Sequence, residues 1–147
     1  MIFNVNDVEQ FQAQKQFIDT AVVPLLQLDL SEEGMKQSSS ASEYLMTLTT
    51  FVEQQFRGRI MLLPPFTYIN ETKNKELLSI LESKLHSAGF NSVIFITCDH
   101  SWCEYKDLLE VLWLPAIPLE SMDNNVKQRI LEEQLKQIIP VLTKVWI

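Results

Sequence analysis

Glycine is scarce in this chain, with only Gly34, Gly58 and Gly89 among 147 residues. No glycine-rich turn joins an apolar run to the helical pattern after it. Dinucleotide fingerprints and Walker A loops need glycines there so that backbone amides can approach a phosphate. Both classes are excluded. Cysteine and histidine are equally sparse, at two each, and two cysteines make no disulfide framework. Basic residues number 12 against 19 acidic ones and lie scattered, for a net charge of −7 and a pI near 4.8. Nucleic acids and anionic membranes are read through Lys/Arg clusters, so neither is expected as a partner. No apolar run approaches bilayer-spanning length, and the stretch from Met1 to Gln10 has no basic leader region. A cytoplasmic protein with reduced thiols is expected.

What remains is ordinary globular material. Hydrophobic residues make up 46% and charged residues 21%, enough apolar surface to order one domain over residues 1–147. Helical and extended patterns alternate. Asn6 with Glu9 reads as a capping box, placing Val8, Phe11 and Ile18 on one helical face. Ala21 to Leu28 reads as a strand, and Pro24, which lacks a ladder donor, predicts an edge or a bulge. An exposed edge invites pairing, which raises a homodimer as an expectation.

The polar stretch from about 31 to 42 predicts a flexible loop. Ser40 and Glu43 then open a helix with Tyr44, Leu45, Leu48, Phe51, Val52 and Phe56 inward, stopped by a left-handed Gly58. Ile60 to Leu63 reads as a strand closed by Pro64-Pro65. A helix from about Thr72 to Ala88 turns Leu77, Leu78, Leu81 and Leu85 inward and ends at Gly89. Further strands are expected at Val93 to Ile96 and Val111 to Leu114. A last helix runs from Asn124 to Ile138 until Pro140 breaks or kinks it. Residues 141–147 fit either a strand or a final helical turn. Strands that are apolar without alternation are covered on both faces, which marks parallel pairing. The fold class is therefore α/β, a three-layer domain of four or five mostly parallel strands with helices on both faces.

Chemistry-bearing residues gather in Cys98-Asp99-His100-Ser101-Trp102-Cys103. Ser101 and Glu104 suggest another capping box, with Cys103 in the first turn of a short helix, where the helix dipole lowers a thiol pKa. A thiol enzyme or redox sensor would use Cys98 or Cys103 with His100 as base. No orienting group or oxyanion hole is identifiable, and Asp99 opposes thiolate formation. A metal site is not expected: Cys98, His100 and Cys103 lack the second ligand pair of structural zinc sites. His86, one turn after Glu82, reads as a partner of that carboxylate and of its helix terminus. Trp113 reads as core, whereas Trp102 and Trp146 are candidates to anchor a partner.

If the sheet is parallel, the C-terminal ends of its strands gather Asp29, Thr67, Tyr68, Asp99 and His100. A cleft there would disfavour anions and suit a cation or a neutral polar molecule. A phospho-aspartate site of receiver type needs an adjacent acidic pair and a strand-end lysine, and the sequence has neither there. The leading expectation is a non-catalytic intracellular module that binds a protein partner or small polar ligand at this edge without a cofactor. The segments Phe17-Ile18-Asp19-Thr20-Ala21 with Pro24-Leu25, and Leu62-Leu63-Pro64-Pro65-Phe66-Thr67-Tyr68, resemble the YpiF-like family of Bacillus-type Firmicutes over essentially the whole length. The resemblance implies a cytosolic bacterial protein and brings no assigned reaction or site residue with it.

Overall fold

In the computed structural model, which describes residues 1–146, the elements run α1 (Val5–Ala13), β1 (Thr20–Gln27), α2 (Met35–Gln55), β2 (Ile60–Leu62) and β3 (Phe66–Tyr68). They continue with α3 (Lys75–Ala88), β4 (Ser92–Thr97), β5 (Val111–Trp113) and α4 (Asn124–Trp146); 3-10 turns cover Asn70–Thr72 and His100–Tyr105. The five strands form one sheet of order β2-β1-β4-β5, with β3 also paired to β1. Each pairing is parallel. Alternate residues of the central strands feed two cores. Val22, Leu26, Ile94 and Ile96 meet α2 and α4 on one face, while Ala21, Val23, Leu25, Val93 and Phe95 meet α1 and α3 on the other. This is the three-layer α/β architecture expected of strands buried on both sides.

Pro24 does not mark an edge. It lies mid-sheet opposite Ile96 of β4. On the other side of β1 the register passes from Val22↔Leu62 to Leu25↔Phe66, so the neighbouring chain carries one extra residue. The carbonyl of Val22 accepts from Leu63 on that side and the amide of Leu28 donates to Tyr68, so the missing donor of Pro24 faces the same break, where Pro64-Pro65 interrupts the ladder. The bulge is in the partner, and the edge-based reason for a homodimer falls away. The outer side of β2 is itself partly occupied, since Ile2 bridges Leu62 and the Met1 ammonium donates to Glu53 and to the carbonyl of Ile60.

Several boundaries differ from expectation. The cap of α1 is Asn4, whose Oδ1 accepts from Asp7, and Ile18 lies beyond the helix although it is buried. Residues 35–42 are the first turns of α2 rather than a flexible loop, so Ser40 and Glu43 sit inside the helix. Gly58 has no positive φ; α2 ends earlier, where the Phe56 amide returns to the Glu53 carbonyl. Gly89 does adopt the left-handed region, at φ 121°, and closes α3. That helix begins at Asn74, and Leu77 is exposed. Helix α4 passes through Pro140 to Trp146, and Ile147 lies outside the described residues. Pro140 is exposed, so the Lys136 carbonyl it leaves free can bind water while buried Ile138 and Leu142 hold the helix to the sheet.

The last turn of α4 is anchored by Trp146. Its Nε1 donates to Thr20 Oγ1 at 2.7 Å, and its ring lies edge-on to Phe56. The Arg59 guanidinium sits 4.1 Å from the ring centroid and bridges to Asp19. Trp146→Ala is predicted to destabilise the protein by about 2 kcal/mol, below the range for fully buried aromatics because this ring is half-exposed. Urea denaturation checks this; a change within about 0.5 kcal/mol, typical of an unremarkable surface site, would show that the contact contributes nothing.

Candidate functional site

The chain leaves β1 toward one face through α2 and returns to the other side of β1 as β4. The rim between the C-terminal ends of β1 and β4 is thus the point where strand order reverses, the usual ligand position in open parallel sheets. A cleft of about 190 Å³ opens there, on the α2 side. Leu25, Leu26 and Leu45 form its apolar wall; Gln27, Gln37, Ser38 and Ser42 are polar, and Asp29, Cys98 and Asp99 come from the strand ends.

Both carboxylates are set by the same local device. Asp29 Oδ1 accepts from the Ser31 amide at 3.0 Å and from Ser31 Oγ at 2.7 Å. Asp99 Oδ1 does the same with Ser101, at 3.0 Å and 2.7 Å. Two Asp-x-Ser turns therefore close adjacent parallel strands. The cap of the second turn is Asp99 rather than Ser101, contrary to the expected box with Glu104.

Asp29 is folded back against Gly34, the N-terminal flanking residue of α2. A Cβ at position 34 would fall 1.9 Å from Asp29 Oδ2. Gly34 is needed here for room, with its φ of −106° open to any residue. The Asp29 carboxylate thereby occupies the positive end of α2, so no helix terminus is left for an outside anion. The hydrogen bonds from the Ser31 side chain and amide hold its pKa below the usual carboxylate range.

Asp99 is partly buried, which raises its pKa, but hydrogen bonds from Tyr68 and Ser101 and the charge of Lys73 outweigh this and keep it low. Tyr68 is buried; its hydroxyl donates to Asp99 Oδ2 at 2.6 Å and accepts from Trp102 Nε1. Burial and then the Asp99 carboxylate push the Tyr68 phenol far up, so it stays a donor. Lys73 Nζ donates to Ser101 Oγ and lies over the Trp102 ring.

The sequence-predicted residues therefore separate. Asp29 and Asp99 share the cleft, and Tyr68 supports Asp99 from behind. Thr67 is exposed on β3, away from the cleft lining. His100 is exposed and stands edge-on to Trp113 at 4.8 Å. It makes no hydrogen bond to Cys98 or Cys103 among the described residues. Burial pushes the Cys98 thiol up to about 12. Trp102 is wholly buried, so it is core and presents nothing to a partner, whereas Trp113 is only half-buried and donates to the Cys98 carbonyl. His86 Nδ1 meets the Phe90 carbonyl beyond the end of α3 instead of Glu82.

Sequence reasoning missed the α2 contribution altogether. Ser38 Oγ accepts from the Asp29 amide and donates to the Gln27 carbonyl, tying the helix to the strand end. It also missed Tyr44, whose hydroxyl is the buried side-chain polar atom without a hydrogen-bond partner among the described residues. Tyr44 packs in the same core as Cys98, close enough that burial and then the Cys98 charge raise its pKa. The repeated Asp-x-Ser spacing was a readable signal for the first omission; nothing in the sequence announces the second.

Two outcomes test this geometry. Tyr44→Phe is predicted to leave stability unchanged or raise it by up to about 1 kcal/mol, because it removes a desolvated hydroxyl that makes no bond; thermal unfolding decides, and a marked loss would reveal a hidden partner. The Asp99 pKa is lower folded than unfolded, so its stabilising contribution is complete above the unfolded value of about 4 and is lost as pH falls through the folded one. Asp99→Asn should thus flatten the stability curve below about pH 4, and an unchanged acid limb would show the network to be energetically silent.

Residues 9–146 match a family model described as a protein of unknown function, DUF2487. The chain is 30% identical to an uncharacterized protein of Bacillus subtilis (strain 168), YpiF, over 99% of this chain and 98% of that one. No solved structure matches it.

Proposed function

The chain belongs to the DUF2487 family, and from that premise, which brings no reaction with it, we propose that it is a non-catalytic module binding a small cationic or neutral polar molecule in the cleft between β1 and β4. The observation that carries this reading is the lining itself: two carboxylates held ionised, no lysine or arginine, and an apolar wall. Such a lining repels anions and pairs with a protonated amine through charge-assisted hydrogen bonds. A non-catalytic role is favoured over thiol chemistry. The Cys98 thiol stays protonated at neutral pH with its value near 12, and neither thiol has a base bonded to it among the described residues. Nucleophilic catalysis needs a thiolate, and this cleft disfavours one.

Ethanolamine is the test probe, with acetate as its anionic counterpart. In a titration followed by amide NMR, ethanolamine is expected to shift the signals of Gln27, Asp29, Ser38 and Asp99 saturably, and acetate is expected to leave them in place. Asp29→Asn should weaken the amine by about tenfold, the worth of one charge-assisted hydrogen bond. Saturable binding of acetate, or no shift with the amine, would overturn the proposal. Alkylation gives an independent reading: iodoacetamide should modify Cys98 slowly at pH 7.5, and faster as pH rises toward 10, in step with its thiolate fraction. A rate already maximal at pH 7.5 would restore a thiol mechanism.

A further inference from the structure

A second depression of about 520 Å³ adjoins the cleft and shares Gln27 and Asp29 with it. It is lined further by Leu28, Leu30, Ser31, Ile69, Asn70 and Glu71. Asp29 thus stands between two spaces, with Asp99 on the far side of one and Glu71 in the other. No lysine or arginine lines either space. Apolar side chains lie between the carboxylates in both, from Leu25, Leu26 and Leu45 to Leu28, Leu30 and Ile69. At its inner end the cleft is closed by Cys98, and next to that thiol lies the unpartnered, fully buried hydroxyl of Tyr44. A buried hydroxyl without a partner is a standing penalty that an entering hydrogen-bond donor would remove.

Resting on the reading above, we propose that cleft and depression form one site for a linear amine carrying two or more ammonium groups separated by methylene chains. One ammonium group sits at the inner end among Asp99, Asp29 and the Tyr44 hydroxyl. The methylenes run along the leucines past Asp29, and a second ammonium group reaches Glu71. The cleft alone, at about 190 Å³, falls below the several hundred Å³ usual for a complete small-molecule site, so a ligand seated only there would be a fragment. The adjoining space supplies the missing volume, and its carboxylate names the charge of what fills it.

The experiment compares spermidine with n-butylamine by calorimetry at matched ionic strength. Spermidine is expected to bind at least tenfold more tightly. Glu71→Gln is expected to bring spermidine down to the butylamine level and leave butylamine unchanged. Tyr44→Phe is expected to weaken both amines without lowering the melting temperature. If both amines bind equally and Glu71→Gln changes nothing, the two-part site is wrong while monoamine binding in the cleft stands. If neither amine binds, the cleft reading itself fails. Displacement of spermidine by magnesium chloride at the same charge concentration would mark simple counterion attraction and overturn the proposal.

Discussion

The parallel pairing of β1 with β4, over six residues from Thr20↔Ser92 to Leu25↔Thr97, is the constraint on which the rest depends. In parallel strands equal registers end together, so this ladder delivers Asp29 and Asp99 to the same rim although 70 positions separate them in sequence. The connections then leave in opposite senses, α2 to one face and the His100–Tyr105 turn toward the other core, through Trp102. A gap between departing connections is an unavoidable product of that topology. Thr97 reinforces the ladder at its last rung: its Oγ1 donates to the Leu25 carbonyl and accepts from the Asp99 amide, binding the two strand ends side by side.

The charges at this rim follow from local bonding more than from overall acidity. Each aspartate is held by the serine two residues on, and that bond lowers the carboxylate pKa whatever the protein's net charge. The two sites differ in what meets the second oxygen. Asp99 Oδ2 is spent on Tyr68, whereas Asp29 Oδ2 makes no hydrogen bond among the described residues and faces the space that Gly34 leaves open. Asp99 is accordingly the structural member of the pair, coupled through Tyr68 to the Trp102 core, and Asp29 the one with an unused acceptor.

Much of this was legible in the chain, and the failures have specific causes. Val93 to Ile96 and Ile60 to Leu62 declare buried parallel strands because they are apolar without alternation. Asp29 and Asp99 could be placed at strand ends for the same reason. The start of α2 could not be read. Its serines are poor helix formers in isolation, because their hydroxyls compete for backbone groups. Here those hydroxyls are engaged elsewhere: Ser38 bonds the Gln27 carbonyl, Ser39 the Lys36 carbonyl and Ser40 the Glu120 carboxylate. Tertiary bonding turned a loop signal into helix. Strand β3 was hidden by Pro64-Pro65, which reads as a full stop yet serves as a bulge before pairing resumes at Phe66.

Pro24 shows the same logic at the level of one atom. Proline is barred from a central strand only where its missing donor would face an acceptor that needs it. Between Val22↔Leu62 and Leu25↔Phe66 the neighbouring chain bulges by one residue, and at that break the ladder asks for no donor from β1. A proline in one strand and a proline pair in the next therefore form a single compensated feature, and the other side of Pro24 keeps the uninterrupted pairing with β4 that defines the cleft. Restoring a donor at position 24 would add an N–H with no assigned acceptor beside the Pro64-Pro65 break. The residue that looks most damaging to the strand is thus matched to its neighbour, and the rim geometry is built on the side where no such compromise exists.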